Sequence, residues 1–132
     1  MHKYTHTNRV TVDIDEPDTN KLEYIVNKAI SILDYDRIEV FQSASGNGFH
    51  VYAYLNKNIS YDKQFRYRKQ LDDCKIRLML SKKDLAKGFN PDVMFQYKKI
   101  NGEWKKEKYL FTINDNDDYK KAYFAKWLML RC

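Results

Sequence analysis

An α+β fold, one antiparallel sheet with helices packed on one face, is predicted by three observations. Residues 9–15 (Arg-Val-Thr-Val-Asp-Ile-Asp) alternate strictly between apolar and polar, the period of a half-buried strand. The pattern then changes to helical spacing at Leu22, Ile25, Val26, Ala29, Ile30 and Leu33. Two further alternating runs, 37–43 and 48–55, are separated by a glycine-containing turn and read as a hairpin.

Each element has its own local cause. In the first strand Val10, Val12 and Ile14 point to the core, so Thr11, Asp13 and Asp15 point to the other face. Pro17-Asp18 breaks the strand, and Asn20 with Glu23 three residues later reads as a capping box for the first helix. The second strand directs Ile38 and Val40 inward. The third directs Phe49, Val51, Ala53 and Leu55 inward, which puts His50, Tyr52 and Tyr54 on the opposite face. Residues 61–71 read as a basic helix carrying Arg66 and Arg68. Residues 75–87 fit either a strand (Ile76, Leu78, Leu80) or a helix (Leu78, Met79, Leu85). A fourth strand is expected over 92–98, a turn at Asn101-Gly102, a fifth strand over 108–113 and a closing amphipathic helix over 117–130. The order βαββαβ, followed by an extra strand and helix, is that of a ferredoxin-like sheet. Its strands would stand in the order 4-1-3-2, with the first strand central.

The chain has 132 residues, enough for one domain spanning 1–132. With 43% apolar and 32% charged residues it is expected to fold, and 4 Gly and 2 Pro exclude collagen-like or linker-dominated readings. The formal net charge of +6 and the 11 Tyr and 7 Phe, many in basic stretches, point to nucleic acid or nucleotides as partners. Two cysteines, Cys74 and Cys132, make no disulfide framework. No apolar run is long enough to span a bilayer, and the N-terminus lacks an apolar signal region. A cytoplasmic location with no membrane partner is therefore expected.

The expected topology brings polar residues together. With the first strand central, its C-terminal end lies beside the starts of the third and fourth strands. Asp13, Asp15, His50 and Asp92 would then share one corner of the uncovered face. Carboxylates held together repel and favour a bound cation, and oxygen ligands suit Mg²⁺ or Mn²⁺. Such clusters serve two-metal phosphoryl transfer. The adjoining turn, residues 43–48, combines Ser43 and Ser45 with Gly46 and Gly48, which allows backbone N–H groups to approach a phosphate.

Val12-Asp13-Ile14-Asp15, followed some thirty residues later by Ser45-Gly46-Asn47-Gly48-Phe49-His50-Val51, resembles the archaeo-eukaryotic primase superfamily, the primases and primase-polymerases of archaea, eukaryotes, plasmids and viruses. The likeness covers residues 8–55. It implies an RRM-like catalytic sheet, with Asp13 and Asp15 matching the metal-binding carboxylates. His50 would contact the phosphates of the incoming nucleotide, beside Ser45 and the Gly46 and Gly48 backbone. The implied reaction is nucleotidyl transfer from an NTP or dNTP on a single-stranded template during viral or plasmid DNA replication. A replicative helicase or another replication protein would be a partner, and the compartment would be the host cytoplasm if the chain is viral. The third acidic motif has several candidates. Asp92 fits by placement, while the stretch from Leu71 to Ser81, with Asp72-Asp73 and Arg77, resembles a segment of plasmid and viral members in which Ser81 stands at an aspartate position.

A second function class uses the same sheet without catalysis. Tyr52 and Tyr54 on the uncovered face would stack on bases, as in a single-stranded DNA or RNA binder. Arg66, Arg68 and Lys98, with Lys99, Trp104, Lys105, Lys106 and Lys108, would supply further nucleic-acid contacts. A rolling-circle initiator nuclease normally needs two histidines flanking an apolar residue, and residues 49–52 offer one.

Overall fold

The computed structural model describes residues 4–115. Along the chain these form β1 (His6–Ile14), α1 (Thr19–Ile32), β2 (Tyr35–Gln42), β3 (Phe49–Ser60), α2 (Tyr61–Gln70), α3 (Lys75–Ala86), β4 (Tyr97–Ile100), β5 (Glu103–Lys106) and β6 (Lys108–Asn114). The fold is α+β, with a four-stranded antiparallel sheet, a separate two-stranded hairpin and three helices among the described residues. The expected helix over 117–130 and Cys132 lie outside them.

The core lies between one face of the sheet and α1. Val10, Val12 and Ile14 of β1, Ile38 and Val40 of β2, Val51 and Ala53 of β3 and Phe111 and Ile113 of β6 all point there. They meet the apolar stripe Leu22, Ile25, Val26 and Ala29 of α1. Burying each of the larger side chains contributes about 1.5–3 kcal/mol. The α1 N-terminus is capped by Asp18, whose carboxylate accepts the N–H groups of Asn20 and Lys21 at 2.9 and 3.2 Å. The expected cap at Asn20 is thus moved two residues upstream, to the acid with extended backbone angles that follows Pro17. Residues 75–86, ambiguous by periodicity, are helical.

The strand order differs from expectation. The sheet runs β1-β3-β2-β6, so β1 is an edge strand and β6 pairs with β2 at the opposite edge. The segment expected as the fourth strand does not join the sheet. Residues 92–96 have no regular structure, and Tyr97–Ile100 pairs instead with Glu103–Lys106. Asn101 and Gly102 drive that local pairing, because their φ angles of 51° and 81° make the two-residue turn that matches strand twist.

The place beside β1 is already filled. An edge strand presents unpaired backbone groups that must find partners. Here side chains of the α2–α3 unit supply them. Gln64 Nε2 donates to the Arg9 carbonyl at 3.0 Å, Arg77 Nη1 donates to the Thr11 carbonyl at 3.4 Å, and the Asp13 N–H donates to Asp73 Oδ1 at 2.8 Å. Nor is the second face of the sheet bare. Glu107, at the junction of β5 and β6, and Asp92 lie against it, which buries Thr11, His50 and Tyr52 although their strand parity points away from α1.

Candidate functional site

Antiparallel pairing of β1 with β3 sets the centre of the site. Asp13 and His50 are direct cross-strand partners, and Ile14 is opposite Phe49. Both side chains of the first pair point away from the core, and His50 Nε2 lies 3.6 Å from Asp13 Oδ1. Asp15 follows β1 on the same side. The 43–48 turn is drawn against the end of β1: a Cβ on Gly48 would overlap the Ile14 carbonyl oxygen, so only glycine permits this approach.

These elements line an open cavity of ≈ 440 Å³, within the range of about 300–1,000 Å³ common for small-molecule sites. Asp13, Asp15, Ser43, Ser45, Gly48 and His50 line it, and Phe95, Tyr97 and Lys98 close one side. In the turn, Gly46 with φ +78° lets its N–H donate to the Ser43 carbonyl at 2.9 Å, while the Ser43 N–H donates to the Gly48 carbonyl at 3.0 Å. The Asn47 N–H donates to Ser45 Oγ at 3.3 Å. Three N–H groups of the expected cradle, those of Ser43, Gly46 and Asn47, are therefore engaged within the turn. The turn also offers the cavity its two serine hydroxyls, which lie 3.3 Å apart.

His50 is held from behind. Its Nδ1 lies 2.6 Å from Glu107 Oε2, and the Tyr52 hydroxyl donates to the same oxygen at 2.7 Å. A carboxylate only accepts, so the Nδ1 proton sits on the Glu107 side and Nε2 is the atom turned toward Asp13. Burial, with the charge of Glu107, pushes the Tyr52 phenol well above its ordinary range, so it remains a donor. Sequence reasoning missed Glu107. It is the lone acid in Lys105-Lys106-Glu107-Lys108, 57 residues from His50, and no spacing rule connects the two.

The Asp13 carboxyl is pushed above the ordinary carboxylate range, first by burial and then by the charge of Asp15; His50 and Arg77 oppose this. Two neighbouring carboxylates whose repulsion is only partly offset are a suitable pair for one hard cation, and Mg²⁺ is commonly held by one or two carboxylates with phosphate oxygens and water completing its shell. Asp13 and Asp15 fit that role. The described residues contain no cluster of three or more His, Cys, Asp or Glu arranged for a metal.

The expected third acid is absent from the cavity. Asp92 is buried in an ion network: it accepts Arg9 Nε at 2.8 Å, Arg77 Nη2 at 3.2 Å and the Thr11 hydroxyl. The placement failed because residue 92 begins no sheet strand. The alternatives do not fill the gap. Ser81 accepts Arg68 Nη2 at 3.0 Å, and Asp73 Oδ2 takes Arg68 Nε at 2.8 Å and Arg77 Nη1 at 2.9 Å. Asp72 is exposed, 3.7 Å from Lys21.

The expected nucleic-acid residues divide. Arg68 is fully buried in the network just described and has no surface to offer. Tyr52 is 2% exposed and bound to Glu107, so its ring is covered, contrary to its expected stacking role. Tyr54 is half-buried, with the Arg37 guanidinium 3.9 Å from its ring centroid. Arg66 and Lys98 are exposed, and Lys98 stands at the cavity. No protein-family model, curated protein or solved structure matches the chain. No helix among the described residues is long and apolar enough to cross a membrane.

Proposed function

We propose that this domain is a primase/polymerase-like nucleotidyltransferase of viral or plasmid DNA replication, using an NTP or dNTP on a single-stranded DNA template. The observation that carries the reading is the Asp13–His50 pair, 3.6 Å apart at the wall of a nucleotide-sized cavity that also contains Asp15 and the Ser43–Ser45 hydroxyls. The RRM-like or ferredoxin-like likeness rests on the βαββα order of the first five elements. It does not rest on the position of the last strand. Asp13 and Asp15 would hold one Mg²⁺ or Mn²⁺, which would supply charge neutralisation for the triphosphate and its pyrophosphate leaving group. Lys98 contacts phosphate oxygens, His50 Nε2 does so when it too carries a proton, and the serine hydroxyls orient them. Glu107 fixes the imidazole.

The test is incorporation of labelled nucleotides on primed and unprimed single-stranded DNA with Mn²⁺ or Mg²⁺. The expected result is metal-dependent incorporation that Asp13→Ala abolishes. Incorporation that survives both Asp13→Ala and Asp15→Ala overturns the reading. So does a complete lack of incorporation with either metal.

One observation favours a second reading, a catalytically inactive single-stranded nucleic-acid binder on the same sheet. Asp92 is withheld from the cavity by two arginines. Under that reading the protein retains single-strand affinity and shows no Mn²⁺ binding at Asp13 and Asp15 by calorimetry.

A further inference from the structure

The β4–β5 hairpin projects a surface that the sheet does not use. Its register pairs Tyr97 with Lys106 and Lys99 with Trp104. Alternation along each strand places these four side chains on one face. Lys106 Nζ lies 5.7 Å from the Tyr97 ring centroid, consistent with a shared face. The rings stand at diagonal positions, separated by about 7–8 Å in such a ladder. Both are unusually open for their size, with Trp104 70% and Tyr97 56% exposed. Each ring thus has an ammonium group directly across the ladder. Five lysines and two glutamates occupy residues 97–108, and one of those glutamates, Glu107, is turned inward to His50. Lys105 is paired with Glu103 at 3.3 Å, so Lys98, Lys99, Lys106 and Lys108 carry the outward charge. The same hairpin begins at the cavity, where Tyr97 and Lys98 form part of the wall.

We infer that the Tyr97–Lys99–Trp104–Lys106 face of the hairpin is a platform for single-stranded nucleic acid, stacking successive bases on its two rings while the lysines hold the backbone. Duplex DNA presents phosphates but keeps its bases stacked on one another, so two exposed rings alternating with two lysines fit an unpaired strand better. Continuity with the cavity makes the platform the approach of the template to Asp13 and His50. That assignment of the strand as template rests on the nucleotidyl-transfer reading; the binding itself does not.

The test is anisotropy of a labelled oligo-dT with the full chain, without metal or nucleotide, against a duplex of equal length. Single-strand binding is expected to exceed duplex binding. Trp104→Ala is expected to weaken it about 5- to 140-fold, and Trp104→Phe to restore most of the loss. The exposure of Trp104 keeps these changes out of the core, and matching thermal melts verify it. The double change Lys99→Ala/Lys106→Ala is expected to reduce the salt slope of binding by about 1.4. Equal affinity for duplex and single strand, or an unchanged affinity in Trp104→Ala, overturns the platform. These measurements separate the two readings: loss of oligo-dT affinity in Trp104→Ala alongside incorporation indifferent to Asp13→Ala leaves the platform standing and removes the enzyme. The reverse pattern removes only the platform.

Discussion

Two groups of charged side chains hang on β1, and they are built oppositely. In one, Asp73 and Asp92 are saturated: between them they receive Arg9, Arg68, Arg77, the Thr11 hydroxyl and the Asp13 N–H, and both are nearly inaccessible. In the other, Asp13 and Asp15 face a cavity and repel each other, with an imidazole at 3.6 Å and the Arg77 charge in partial opposition. The same residue type, set against one sheet edge, has its acceptor capacity filled by the chain in the first group and faces open space in the second. The saturated group also substitutes for a neighbouring strand. Its side chains bind the backbone groups that a fourth strand would have paired.

The largest expected effect breaks the saturated group. Asp73→Ala leaves Arg68 buried without its carboxylate, removes the acceptor for the Asp13 N–H and takes from Arg77 one of its two carboxylate partners. Removing one partner of a buried ion pair costs about 3–5 kcal/mol, so the urea midpoint is expected to fall sharply, if the protein folds at all. Asp15→Ala, in the unsaturated group, is expected to stay within about 0.5 kcal/mol of the wild type, as for most exposed positions. Equal destabilisation by the two changes dissolves the distinction.

Burial pushes the Arg68 guanidinium below its ordinary range, with the charge of Arg77 acting the same way and Asp73 opposing both. That cost is why this arginine, unremarkable in a basic helix pattern, has every nitrogen engaged.

How much of this was legible in the sequence depends on the range of the interaction. The β1 alternation, the α1 stripe and the β2–β3 hairpin follow from local periodicity and one short connection, whereas the Asp13–His50 meeting also needed the ferredoxin-like placing of β1 beside β3. Parity puts Asp13 and His50 on one face once β1 lies beside β3, so the pair could be foreseen from that topology. The failures came where long connections decide. Whether residues 92–98 or 108–113 joined the sheet depended on which edge was free, and the β1 edge is filled by Gln64, Asp73 and Arg77, from helices whose side-chain reach no periodicity encodes. For the same reason Tyr52 and His50, placed on the correct face, are buried rather than open. The chain segment covering them is set by tertiary contacts of Glu107 and Asp92.

An intermediate effect sharpens the role of that cover. Glu107→Ala orphans the buried His50 Nδ1–H and takes from the Tyr52 hydroxyl its carboxylate acceptor, leaving it the Gln96 side chain. Such an orphan costs about 1–3 kcal/mol, less where water enters. Calorimetric unfolding is expected to show a clear loss, smaller than that of Asp73→Ala. NMR of the imidazole nitrogens is expected to show the Nδ1 proton no longer fixed. An unchanged tautomer and melting temperature would mean that the contact from Glu107 does not hold His50.

The smallest effect has the opposite sign. Because the Asp13 carboxyl titrates above its ordinary value in the folded state, burial and Asp15 being the cause, its charged form is favoured more in the unfolded chain than in the native one. Above the folded-state value that charge lowers stability. As pH falls toward the ordinary aspartate value of about 3.9, the native state takes up the proton first and the cost disappears. Asp13→Asn is therefore expected to melt slightly higher than the wild type at neutral pH without divalent cations, and the gap is expected to close on acidification. Mn²⁺ is expected to reverse the ranking by binding only the wild-type native state. If Asp13→Asn instead melts lower at neutral pH, Asp13 behaves like Asp73, a carboxylate that the chain itself satisfies, and β1 carries one kind of charged group rather than two.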